Sequence, residues 1–138
     1  MLGEMQMKNT DEIKDIFKTE FGFLADRFSI FELSLNDAEI SKEPDTNLPG
    51  VYVHWSPTLG VVKVGKSQTN SRKRSMEHVR YNTLKKGTSY GMAQLADEPG
   101  AKVVLFNIIS KENVHWLLSL EYFLEDKLGP WVRSDRRG

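Results

Sequence analysis

Pro49-Gly50-Val51-Tyr52-Val53-His54-Trp55, a short turn holding Pro57 and Gly60, Val61-Val62-Lys63-Val64-Gly65-Lys66-Ser67, then Arg72-Lys73-Arg74-Ser75-Met76-Glu77-His78-Val79-Arg80-Tyr81 form the stretch around which the chain is organised. Two β-branched, near-alternating runs on either side of a Pro/Gly turn predict a hairpin, and the polar residues Gln68 to Ser71 can cap the helix that follows. Along the first strand Val51, Val53 and Trp55 share one face, while Tyr52, His54 and Ser56 share the other. If Trp55 pairs with Gly60, Tyr52 stands opposite Lys63; a slip of one residue puts them on opposite faces. In the helix Arg74, His78 and Tyr81 fall in one stripe, with Met76 and Val79 turned away. An arginine, an imidazole and a phenol then project together.

Upstream, Thr10 can cap a helix from Asp11 to about Phe21, with Ile13, Ile16, Phe17 and Phe21 at helical spacing on one side. Ser29 to Leu35 carries only a weak strand signal, compatible with an irregular extension, and Ser41 to Pro49 is an acid-rich loop with two prolines. Downstream, Asn82 to Pro99 is a polar connection in which Tyr90, Met92 and Leu95 can anchor a short turn. Ala101 to Ile109 holds the apolar run Val103-Val104-Leu105-Phe106, the pattern of a strand covered on both faces. Ser110 can cap a last helix from Lys111 to Leu128, ended by Gly129-Pro130. The order of elements predicts an α+β chain.

The last helix contains an anomaly. Projected at about 100° per residue, Leu117, Leu120, Leu124 and Leu128 form one stripe, and Glu121 lies inside it. Burying a carboxylate uncompensated costs several kcal/mol, so Glu121 should be ion-paired, hydrogen-bonded, bound to a metal, or placed where the stripe meets a cleft.

The chain has 138 residues, 39% hydrophobic and 28% charged, which is ordinary for a single globular domain. It has no cysteine, which excludes disulfides, thiolate nucleophiles and cysteine metal sites, and its histidines at 54, 78 and 115 lack the spacing of a zinc site. No apolar run reaches the length of a membrane span and the first residues do not resemble a secretory signal, so the expected compartment is the cytoplasm. The net charge is zero but unevenly spread. Lys63, Lys66, Arg72, Lys73, Arg74, Arg80, Lys85 and Lys86 face a single acid, Glu77, whereas residues 1–48 hold eleven acids against five bases. Such asymmetry points either to a local anionic partner or to a solvated basic face balanced by acids elsewhere in the fold.

Gly50-Val51-Tyr52, the spaced Lys63-Val64-Gly65-Lys66-Ser67, Arg74 and His78 in the next helix, and Glu121 ahead of Pro130 together resemble the GIY-YIG nuclease family. The resemblance covers Pro49 to about Val132. It is closest to restriction-type members, in which lysine replaces the tyrosine that opens the second motif, as Lys63 does here. The family's asparagine shortly after the proline has no counterpart in Trp131-Val132-Arg133-Ser134. The resemblance implies a small three-stranded, mostly antiparallel sheet flanked by helices, formed by residues 49–138; it does not account for residues 1–48, which are expected as a helical extension packed on that module.

It further implies a metal-dependent endonuclease acting on DNA, double-stranded in the first instance, with Tyr52, Lys63, Arg74, His78 and Glu121 as catalytic residues. Glu121 would hold one Mg²⁺ or Mn²⁺, a hard cation suited to a carboxylate with water and phosphate oxygens. Tyr52 would be the general base if the neighbouring Lys63 cation lowers its pKa; Lys63 would be the base if its own is depressed. Arg74 would clamp the scissile phosphate, and His78 would contact a phosphate oxygen or relay a proton. Lys66, Arg72, Lys73, Arg80, Lys85 and Lys86 are candidates for contact with the DNA backbone. The small surface suggests a homodimer or a separate specificity partner. Two other expectations compete: a nucleic-acid-binding domain of the same fold that does not cleave, and a protein-interaction domain using the acidic N-terminal part.

Overall fold

A computed structural model describes residues 8–84 and 95–132 of the chain. Its elements are α1 (Thr10–Phe21), β1 (Phe28–Ser34), α2 (Leu35–Ile40), β2 (Gly50–Ser56), β3 (Gly60–Ser67), α3 (Ser71–Leu84), β4 (Lys102–Ile108) and α4 (Trp116–Leu128), with short 3-10 helices at Gly22–Arg27, Pro44–Asn47 and Lys111–Asn113. The fold is α+β, as expected, but the sheet has four strands instead of three, in the order β1-β4-β2-β3. Every pair is antiparallel. The extra strand comes from residues 28–34, which pair along their length with β4. Residues 1–48 therefore do more than pack on the sheet: they supply one of its edges. The weak signal there has a physical cause, since an edge strand is only half covered and Ser29 to Leu33 are all partly exposed.

The hairpin register differs from the simplest reading. Trp55 pairs with Val61 and Ser56 with Gly60, and an irregularity after His54 inserts one extra residue, Val62, into β3. Tyr52 stands opposite Gly65, and His54 opposite Lys63. Because side chains alternate, Tyr52 and Lys63 remain on one face, as diagonal instead of direct neighbours. Gly60 has φ of 79°, a left-handed conformation that favours glycine at the turn.

The two faces have different cores. Against one lie α1 and α4: Ile13, Phe17 and Phe21 meet Leu117, Leu120, Leu124 and Leu128 over Val51, Val53, Val64, Val104 and Phe106. Phe17 makes aromatic contacts with Phe21, Phe28 and Phe106. Against the other face lie α2 and α3, where Ala38, Met76 and Val79 cover Tyr52, Val62, Val103 and Leu105. β4, apolar on both sides, is the centre of the layers, as its continuous hydrophobic run predicts.

Two helix starts are shifted from their expected residues, while the cap of α3 and the end of α4 fall where the sequence predicts them. Asn9, not Thr10, caps α1 through a capping box with Glu12. Asn70 caps α3, its Oδ1 accepting from the Lys73 backbone N–H at 2.9 Å. Ser110 caps the 3-10 helix Lys111–Asn113, and α4 begins only at Trp116. It ends at Gly129, whose φ of 56° is left-handed. Beyond it Val132 donates to Val62 at 2.7 Å and forms a bridge with Lys63, covering part of the β3 edge.

Candidate active site

The sheet face under α3 gathers polar side chains because its glycines make room for them. A Cβ on Gly65 would overlap the Cζ and Oη of Tyr52, so the bare backbone is what lets the phenol ring lie across β3. Gly50 does the same for Asn107. That buried amide accepts from the Ser71 hydroxyl at 2.5 Å and donates to the Asp45 carbonyl at 2.9 Å, fixing the start of α3 against β4.

Five of the predicted residues converge here. Tyr52 is 1% exposed and Lys63 8% exposed. The ring of His78, one turn on from Arg74 in α3, lies 6.0 Å from that of Tyr52. Arg74 is exposed, with one guanidinium nitrogen 3.5 Å from Glu77 Oε1, and it is close enough for its charge to act on Tyr52, Lys63 and His78. Glu121 arrives from α4, on the opposite layer, next to the edge strand β3. It is 4% exposed, Lys66 Nζ lies 3.8 Å from its Oε1, and its charge raises the pKa of both Tyr52 and Lys63. The carboxylate on the apolar stripe is thus answered by lysines across a strand edge. The side chain of Tyr81 lies outside the described residues.

Electrostatics corrects one expectation. The phenol of Tyr52 is not lowered by Lys63: burial raises it well above the ordinary tyrosine range, with Arg74 opposing and Glu121 adding to the rise. Lys63 moves the other way, its ammonium disfavoured by burial and then by Arg74, with Glu121 opposing. His78 is pushed down to about 4 by burial, with Lys63 and Arg74 adding to it, so its imidazole is neutral near pH 7. Of the two candidate bases, the environment favours the amine.

The basic residues separate by surroundings. Arg72 is committed to the fold, its guanidinium donating to Asn47 Oδ1 at 2.7 Å, to the Ala38 carbonyl at 2.7 Å and to the Glu39 carbonyl at 3.3 Å, so it is not a free backbone contact. Arg80 pairs with Glu39 at the surface. Lys66 faces Glu121 at the site itself. Lys73 is exposed on the first turn of α3. Lys85, Lys86 and the closing residues Arg133 to Gly138 lie outside the described residues, as do Tyr90 and Met92.

His54, which is not among the candidate site residues read from the sequence, belongs to the cluster. Its ring is 5.3 Å from that of Tyr52, and strand alternation from Tyr52 was the available signal. His115 is exposed at the start of α4, and Trp116 packs edge-on against Phe23, both away from this group.

Among the described residues no three His, Asp or Glu side chains group as a metal cage. A single buried carboxylate still suits Mg²⁺ or Mn²⁺, which are commonly held by one or two carboxylates with water and substrate phosphate completing the shell. The donor set fits that type of ion. No family model matches the chain, and no curated protein or solved structure matches it either.

Proposed function

We propose that the chain is a divalent-cation-dependent DNA endonuclease of the GIY-YIG type. What carries the reading is the convergence of Tyr52, Lys63, Arg74, His78 and Glu121, drawn from β2, β3, α3 and α4, around one strand edge. The planar fork of Arg74, left exposed, holds the non-bridging oxygens of the scissile phosphate. Lys63, whose burial favours the neutral amine, takes a proton from the attacking water. A new P–O bond forms, the bond to the leaving deoxyribose oxygen breaks, and that oxygen takes a proton from solvent.

Tyr52, kept protonated by burial, orients the water by hydrogen bonding, and neutral His78 contacts a phosphate oxygen. Glu121 would hold the cation, which when bound neutralises charge developing on the phosphoryl and leaving oxygens. Lys66, with its Nζ 3.8 Å from that carboxylate, balances its charge and would contact the DNA backbone beside it. Lys73 extends the positive surface for the duplex. Strong sequence specificity would call for a homodimer or a partner, because the module is small.

A second reading, a nucleic-acid-binding domain without cleavage, is favoured by the depth of Tyr52 and Glu121, 1% and 4% exposed, and by the ion pair to Lys66. Incubation with supercoiled plasmid and Mg²⁺ or Mn²⁺, beside a Glu121→Ala control, separates the two. Nicking by the parent but not the variant supports the first; salt-sensitive binding without nicking supports the second. Absence of both nicking and binding supports the protein-interaction expectation.

A further inference from the structure

His54 is fully buried, 0% exposed, and directly opposite Lys63 in the β2–β3 ladder. Its Nε2 lies 3.0 Å from the Ser75 carbonyl oxygen in α3. A carbonyl can only accept, so Nε2 carries the hydrogen and Nδ1 is a bare lone pair. That Nδ1 has no hydrogen-bond partner among the described residues. An unmatched buried acceptor costs about 1–3 kcal/mol, and a residue needed only to tether α3 has no use for one.

The titratable groups around the imidazole are Tyr52 on its own strand, Lys63 from β3 and His78 from α3; Arg74 and Glu77 on α3 and Glu121 on α4 act on those three. Lys63 is the direct cross-strand partner, and opposed side chains of a ladder start about 5 Å apart at Cβ. Its stem is almost wholly covered, so it runs along this face instead of reaching for solvent.

We infer that His54 is a positioning residue for Lys63: its Nδ1 lone pair receives an N–H of the lysine side chain and aims the amine at the water that attacks the phosphate. The second half of this statement rests on the nuclease reading; the hydrogen bond between the two side chains does not. Burial keeps the imidazole neutral down to about pH 3, so the lone pair is available throughout the range in which the protein would work.

The test uses ¹³C,¹⁵N-labelled full-length chain and follows the Lys63 side chain by NMR across pH. His54→Phe keeps a ring of similar size but has no lone pair to accept the lysine N–H, and it gives up the N–H to the Ser75 carbonyl. An acceptor on the ammonium favours the charged form, so its loss should lower the Lys63 midpoint by about one pH unit. An unchanged midpoint in the folded variant overturns the proposal. Should that variant not fold, the ¹⁵N shift of His54 Nδ1 is compared in the parent and in Lys63→Met; it should move toward the value of a bare lone pair, and no movement overturns the proposal. In plasmid cleavage, the acidic limb of the His54→Phe rate profile should move to lower pH by about the same one unit, with KM unchanged. A limb that stays in place contradicts the positioning role. A parent that does not cleave contradicts the nuclease reading alone, and the NMR comparison still decides the hydrogen bond.

Discussion

One sheet presents two unlike faces. Under α1 and α4 the buried layer is aliphatic and aromatic, built from Phe17, Phe106, Leu117, Leu120 and their neighbours. Under α3 the same strands bury Tyr52, His54, Lys63 and Asn107, with Ser71 and Ser75 above them. Strand alternation produces this division without any change in backbone, since successive residues of β2 and β4 belong to opposite layers. The dry layer gains from burial of apolar area, whereas the other spends part of that gain on desolvating polar groups. A fold with a sufficient core on one side can keep chemistry on the other. Glu121 joins the two, reaching Lys66 at the β3 edge from the side of α4.

Substitutions on the two faces should therefore fail in different ways. Phe17→Ala, which empties a fully buried position in contact with three other rings, should cost about 3–5 kcal/mol of stability by chemical denaturation and leave the cleavage rate of the folded fraction intact. Arg74→Ala should show the reverse: cleavage down by about 10²–10³-fold, with stability within about 0.5 kcal/mol of the parent, because its side chain is half exposed. A large loss of melting temperature in Arg74→Ala would make it a structural residue.

Acid should weaken the polar face first. His54 is pushed down to about 3 and His78 to about 4, mainly by burial, while an unfolded histidine titrates near 6.5. Between those values the unfolded chain binds protons that the folded chain refuses. Stability is thus complete above about pH 6.5 and declines as pH falls toward 4. Glu32, lowered to about 2 by its bonds to Lys102 and Lys14 against an opposing effect of burial, adds a second loss only below about 4.5. Melting curves of His54→Phe should lack much of the slope between pH 6.5 and 4.5; a slope equal to the parent's would contradict the buried neutral imidazole.

Smaller effects divide the basic helix. Arg72→Ala removes three donors from Asn47 and the α2 carbonyls and should cost about 1–3 kcal/mol of stability. Arg80→Ala breaks only a surface pair with Glu39 and should change stability by less than about 0.5 kcal/mol. Equal effects would mean that α3 does not hold α2 through Arg72.

The hairpin, α3, β4 and the apolar stripes of α1 and α4 are legible in the sequence because each has a regular period and a strong end signal. So is the placement of Glu121 on a buried face, which needs only helical geometry. What escapes is set by partners distant in sequence. Phe28–Ser34 becomes a strand through pairing with residues 102–108, and its half-covered edge position blurs alternation. The insertion of Val62 follows no periodicity, yet it decides that His54, not Tyr52, faces Lys63. The direction of the Tyr52 shift depends on Met76 and Val79 covering its face, and the role of Arg72 on a carbonyl 34 positions away.

Arg74 and Glu121, brought from opposite layers, are proposed to act on one phosphate. Single-turnover plasmid cleavage by Arg74→Ala, Glu121→Ala and the double variant measures this directly. Groups acting as a unit are strongly non-additive, so the double variant should cleave about as slowly as the slower single one. Losses that multiply, or a parent that leaves the plasmid intact with Mg²⁺ and Mn²⁺, would contradict it.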